Sequence, residues 1–170
     1  KPDLVAPGNK IIAAQSPNNT LVTLLPSLKV WPATTVANQP LMYLSGTSMA
    51  APVVSGAAAM LLDTNPNLTP NLVKAILQYT AQVIPNTNTL EQGAGHLNID
   101  GAVRIARLVK ANPTTLANGN AMLTASQPTN KYSTISGETI YWGKGVITNW
   151  GILSGNDLMT KYQAIYANGV

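Results

Sequence analysis

Apolar positions along the chain fall into three regimes. Residues 1–8 are bracketed by Pro2, Pro7 and Gly8, a short extended piece. Ile11 to Ala14 and Leu41 to Ser45 are expected strands, the second leading into Gly46. Residues 15–40 between them are polar and Pro-rich, with a turn at Asn18-Asn19. They form a surface loop with one strand expected at Leu21–Leu25. Ser48 to Leu62 is apolar on every side and rich in Ala. This predicts a helix buried all round, with Pro52 in its first turns where the missing N–H costs least. Thr69-Pro70 is a strong helix start. From there Leu72, Val73, Ile76, Leu77 and Thr80 share one face while Lys74 and Gln78 point the other way, an amphipathic surface helix ending near Gln82. Residues 85–98 are loop, and a third helix is expected over Asp100–Ala111 with its cations towards the C-terminal end.

From Asn112 the pattern turns to alternation, around Tyr132–Ile135 and Thr139–Trp142, in a Thr/Asn/Ser/Gly-rich background. Short strands are expected over 113–155. The Trp-Gly pairs at 142 and 150 suggest a hairpin across Gly143-Lys144-Gly145. A helix is expected over 157–167, with Leu158, Tyr162 and Ile165 on one face. The chain therefore divides at about residue 112, into 1–111 and a strand-rich extension, 112–170. The pattern does not decide whether that extension is an appendage or part of the same domain. Its Tyr and Trp residues make either a binding face or a small core, and the core is the expected reading.

Composition narrows the classes. Of 170 residues, 45% are hydrophobic, enough for a core, and 9% are charged, well below the roughly 25% of an average soluble protein. A polar surface built from Asn, Thr, Ser and Gln suits a secreted, extracellular or cell-surface protein. The net charge of +4 is scattered; only Arg104, Arg107 and Lys110 cluster, as a solvated helix end. Nucleic-acid binding, which needs a basic stripe, is not expected. Without Cys, disulfides and thiol catalysis are excluded. The longest apolar run, about 49–62, falls short of the roughly 18–20 residues of a membrane span. The chain opens on Lys1-Pro2-Asp3, without Met or signal segment, so any targeting segment is expected upstream.

The chemistry concentrates at Ser45-Gly46-Thr47-Ser48-Met49-Ala50-Ala51-Pro52. A Gly turn there delivers Ser48 to the start of a helix. The helix dipole favours negative charge at that point, and the first N–H groups lack internal partners. A hydroxyl so placed has an anion site beside it, as acyl transfer requires. Gly-Thr-Ser is also ordinary turn-and-cap chemistry, so on these grounds alone Ser48 reads first as an N-cap.

Residues 46–52, followed by Val54-Ser55-Gly56 and an Ala-rich helix, closely resemble the nucleophile motif of the subtilisin-like (subtilase, peptidase S8) family of serine proteases. Lys1-Pro2-Asp3-Leu4-Val5-Ala6-Pro7-Gly8 resembles the segment preceding that motif. Pro66 to Thr69 with its helix, and Gly93-Ala94-Gly95 with Leu97-Asn98, resemble later elements; together these cover residues 1–110. The resemblance implies an α/β fold: the C-terminal portion of a parallel-sheet domain with helices on both faces, plus the short strand-rich segment. It implies a serine endopeptidase acting on protein or peptide substrates through an acyl-enzyme. Ser48 is the implied nucleophile and its backbone N–H an oxyanion donor, with Gly46, Thr47, Met49 and Pro52 as the structural motif.

Three things depart from the family pattern. The family order is Asp, His, Ser, yet upstream of Ser48 there is only Asp3 and no His, and the oxyanion Asn is missing too. The chain alone is therefore expected to be inactive, its remaining machinery coming from a missing N-terminal portion, covalent or a second chain. A non-catalytic subtilase-derived interaction module is the alternative. The only histidine, His96, with Ser48 and Asp63 gives the α/β-hydrolase order, but Ala50 replaces the elbow's second Gly, and His96 is expected to be structural. Calcium is possible by resemblance, with ligands unknown; no metal ligand set or other cofactor stands out among the six carboxylates.

Overall fold

The computed structural model of the chain describes residues 2–30, 40–148 and 151–167. Cα proximity divides it into a smaller unit, residues 6–54, and a larger one, residues 1–5 with 55–170.

In the smaller unit, strand β1 (Ile11–Ala14) forms at the short apolar run where a strand is expected. Helix α1 (Thr20–Leu24) replaces the strand expected at Leu21–Leu25. Local capping decides this. The Asn19 side chain accepts from Val22 N at 3.1 Å, and Thr23 Oγ1 donates to the Asn19 carbonyl at 3.0 Å. Such bonds outweigh the strand propensity of a few apolar residues. A 3₁₀ turn at Pro26–Leu28 leads to β2 (Lys29–Val30), and β3 (Leu41–Leu44) completes a sheet of order β1-β3-β2. Both pairings are antiparallel, Ile11 facing Leu44 and Val30 facing Leu41, with Met42 of the central strand buried. The named strands here are thus antiparallel, and parallel pairing shows as one bridge in the larger unit, Val5 to His96.

Helix α2 (Thr47–Thr64) runs through the boundary after Val54. Expected to be buried all round, it buries only Ala57 and Leu61, leaving Met60 51% and Leu62 43% exposed. Its composition is that of a core helix, but this chain covers one stripe of it. At its end Asn65, buried, donates through Nδ2 to the carbonyls of Ala106 (3.1 Å) and Val109 (2.9 Å).

Helix α3 (Pro70–Thr80) starts at Thr69, whose Oγ1 accepts from Leu72 N at 3.2 Å. It is not a surface helix with Gln78 outward. Gln78 is 0% exposed, and its Oε1 accepts from the backbone N–H of Ile147 at 2.8 Å. The solvent side assigned to it by periodicity is covered by the extension, while Lys74 alone of that pair stays exposed and meets Asp3 at 2.9 Å. A short helix α4 (Thr89–Gln92), closed by an Asn88/Glu91 capping box, precedes α5 (Ile99–Ala106). The third helix thus ends five residues before the expected Ala111. The chain turns at Arg107, and the Lys110 N–H leaves to the Met122 carbonyl at 3.0 Å.

Beyond a 3₁₀ turn at Pro113–Thr115, the extension forms two hairpins, β4 (Tyr132–Ile135) with β5 (Glu138–Tyr141), and β6 (Gly145–Thr148) with β7 (Gly151–Ser154). Gly143-Lys144-Gly145 is not a hairpin turn. It links the two hairpins because Gly143 N and Lys144 N donate to the Ala81 and Tyr79 carbonyls (2.7 and 2.9 Å), tying the link to the end of α3. Trp150 lies outside the described residues. The helix expected over 157–167 forms only at its end, α6 (Ala164–Ala167); before it, Met122 N and Tyr162 N pair with Thr160 and Asn120 in an extended crossing.

These contacts make the extension part of the larger unit's core. Trp142, Val146, Met159 and Tyr162 are buried alongside Leu72, Ile76 and Ile105. A polar chain runs from Trp142 Nε1 to Ser133 Oγ (3.4 Å) and on to Asn98 Oδ1 (3.1 Å), which also caps α5 by accepting from Gly101 N (3.0 Å). Arg104, expected at a solvated helix end, instead donates to the carbonyls of Tyr132 (2.7 Å) and Asn130 (3.0 Å) and lies 4.9 Å from the Trp142 ring centre. Lys110 Nζ similarly donates to Ala121 O at 2.6 Å. The aromatic residues divide: Trp142 and Tyr162 are core, while Tyr132 and Tyr141 are an exposed edge-to-face pair 5.9 Å apart.

Candidate active site

Two residues, Ser45 and Gly46, connect β3 to α2, and the turn they make determines where Ser48 points. Gly46 adopts φ 150°, a region essentially closed to side chains. Its carbonyl accepts from Met49 N (3.0 Å) and Ala50 N (3.2 Å), closing the first turn of the helix. Ser48 is the second helical residue and is exposed. Neither its hydroxyl nor its backbone N–H has a hydrogen-bond partner among the described residues. It is not the N-cap that turn chemistry alone allowed, since it lies inside the helix. The arrangement offers a hydroxyl beside a free N–H at the positive end of an 18-residue helix.

Three further residues meet this turn. The Gly46 N–H donates to the Gly8 carbonyl at 2.8 Å. Ser45 Oγ accepts from Lys10 N (2.9 Å) and donates to Asn9 Oδ1 (2.9 Å). In the sequence Gly8 ends an extended piece and Ser45 opens the Gly-Thr-Ser stretch, but nothing local links the two, and Asn9 carries no signal of its own. The signal available was the pairing of a Pro-Gly-Asn loop with a Ser-Gly turn, which becomes meaningful only once the two are adjacent.

Among the other motif residues, Thr47 opens α2 and is exposed, Met49 is half-buried, and Pro52 is exposed inside the helix. As the sixth helical residue Pro52 lies past the first four, whose N–H groups lack internal partners, so it removes the bond to the Ser48 carbonyl and does not sit where that loss costs least.

His96 belongs to the larger unit. Its backbone exchanges two bonds with Gln82 (2.7 and 2.8 Å), and the flanking Gly95 O and Leu97 N pair with Val5 (2.9 and 2.8 Å). Its backbone sits where three segments meet. No hydrogen bond or ion pair joins it to Asp63, which is exposed near the end of α2. Among the described residues no group of three or more His, Asp or Glu side chains is arranged to hold a metal ion.

Comparison with known proteins agrees with the motif. The model of the subtilase family (peptidase S8) matches residues 1–102. The serine protease AprX of Bacillus subtilis (strain 168) is 37% identical over 103 residues, covering 61% of this chain and 22% of that protein. The subtilisin-like protease SBT1.6 of Arabidopsis thaliana is 37% identical over 116 residues (61% and 14%). The subtilisin-like protease SBT3 of Solanum lycopersicum is 30% identical over 131 residues (69% and 16%). The chain belongs to the subtilase family of serine proteases and carries an α/β portion of that fold. It spans less than a quarter of the length of these relatives.

Proposed function

We propose that this chain supplies the nucleophile of a subtilisin-like serine endopeptidase, with Ser48 attacking the peptide carbonyl. The observation that carries this reading is the exposed Ser48 hydroxyl beside its own unpaired N–H at the start of α2. In the proposed reaction Ser48 Oγ bonds to the carbonyl carbon as a histidine base takes its proton. The Ser48 N–H donates to the developing oxyanion, worth about 3–4 kcal/mol for one such donor in a dry site. Collapse expels the amine, which receives the proton, and water then hydrolyses the acyl-enzyme.

A serine hydroxyl without an adjacent base is a weak nucleophile near neutral pH. The sequence upstream of Ser48 has no histidine, and His96 is engaged as a backbone junction. The base, its orienting Asp and the second oxyanion donor are therefore assigned to a portion outside this chain, and the chain alone is inactive. The same portion would cover the exposed apolar side of α2. A protein or peptide is the substrate. The charge-poor surface supports a secreted or cell-surface location, and no described helix is long and apolar enough to cross a membrane.

A fluorophosphonate probe, which reacts with activated serines, tests this. Labelling is expected at Ser48 only when the upstream portion is present, and not in Ser48→Ala. Labelling of the chain by itself, abolished by His96→Ala, would show that His96 is the base.

A further inference from the structure

We infer that Gly8, Asn9 and Ser45 are positioning residues that set the Ser48 hydroxyl and N–H for reaction. The inference rests on the reading of Ser48 as nucleophile. Only Ser45 and Gly46 separate the last residue of β3 from the first of α2, so the direction of the helix's opening turn follows from how those two residues are held. Both are held from one loop. Gly8 O takes the Gly46 N–H at 2.8 Å, and Ser45 Oγ is fixed on two sides, by Lys10 N and Asn9 Oδ1, both at 2.9 Å. Lys10 adopts φ 52°, a conformation uncommon for a residue with a side chain, while its N–H is given to Ser45.

Gly8 is required here for space. A Cβ on it would stand 2.7 Å from Gly46 O and 3.0 Å from the Ala50 Cβ. Gly46 O is the acceptor that closes the first turn through Met49 and Ala50, and as backbone it cannot rotate away. A methyl at residue 8 therefore moves the turn that carries Ser48.

In the complete protease, with its upstream portion present, the readouts are kcat and KM on a peptide substrate, the rate of fluorophosphonate labelling, and Tm. Displacing a reacting group by about 1 Å costs on the order of 10²-fold in rate. Gly8→Ala and Ser45→Ala are expected to lower kcat and the labelling rate about 10- to 100-fold, with KM within about twofold. Ser45→Thr, which keeps the hydroxyl, is expected to recover most of the loss. Should Gly8→Ala fail to fold, Asn9→Ala, which removes only the acceptor of the Ser45 hydroxyl, must still slow labelling. Wild-type kcat in Ser45→Ala and Asn9→Ala overturns the inference, as does a loss that Ser45→Thr does not restore. A wild-type protease that the probe never labels at Ser48 overturns the nucleophile reading and this inference with it.

Discussion

Truncation of Trp142 to Ala measures how firmly the extension belongs to the rest of the larger unit. The ring is 3% exposed and lies against Gly101, where a Cβ would come within 2.7 Å of Trp142 Nε1. Removing a buried Trp side chain costs about 3–5 kcal/mol when the cavity cannot collapse. The helix α5 backbone at Gly101 has no side chain with which to fill the gap. Arg104 adds a cation–π contact at 4.9 Å. Its side chain is 29% exposed, so about 0.5–1 kcal/mol is a fair share. The indole N–H bond to Ser133, at 3.4 Å, is long and adds little. A loss of about 4 kcal/mol follows; with a urea slope of about 2 kcal/mol per M, the unfolding midpoint falls by about 2 M. Arg104→Met, which deletes the ring contact and two carbonyl bonds, is expected to cost about 1–2 kcal/mol, and the double variant to show coupling of about 1 kcal/mol. A midpoint shift below about 0.5 M for Trp142→Ala, at unchanged slope, would refute the view that the extension is part of this core.

Two other predictions concern buried polar groups. Burial pushes the Tyr79 phenol above its ordinary value, an effect opposed by its bond to Gln127 and reinforced by the charge of Asp157. The folded state thus holds that proton longer than the unfolded one. The associated stability is intact below about pH 10, the unfolded value, and is lost as pH rises through the raised folded value. Thermal melts of Tyr79→Phe should show about 1 kcal/mol less stability near neutral pH, from the missing bonds to Gln127 and Asn156, but a shallower decline above pH 10; equal slopes would contradict this. Asn65→Ala strands the Ala106 and Val109 carbonyls and should cost about 2–3 kcal/mol in urea unfolding. Asn65→Asp should be worse at pH 7 than at pH 4, because an ionised carboxylate there faces two carbonyls; a pH-independent loss would refute the donor role.

The sequence by itself determined the family, because its most specific motif resides in a contiguous stretch. Gly46 to Pro52 encodes a turn, a helix start and a serine within seven residues, and each of those features is set by neighbours in the chain. It likewise determined strands β1, β3, β4 and β5 and the Thr69 cap, where a short apolar run, alternation or one capping bond is sufficient. Tertiary structure decided the rest. Gln78 is polar and falls on the outward side of an amphipathic pattern, yet it is fully buried because Ile147, 69 residues away, supplies an N–H. Arg104 became a clasp for a hairpin because two carbonyls and an indole ring arrive from residues 130–142. Gly8 and Asn9 acquired their place at the turn before Ser48 only when Ser45 and Gly46, some 36 residues beyond them, folded against them. Periodicity records which faces are apolar. It carries no information on which distant backbone groups will need a partner, and that demand, the cost of leaving a buried N–H or carbonyl unpaired, placed these side chains.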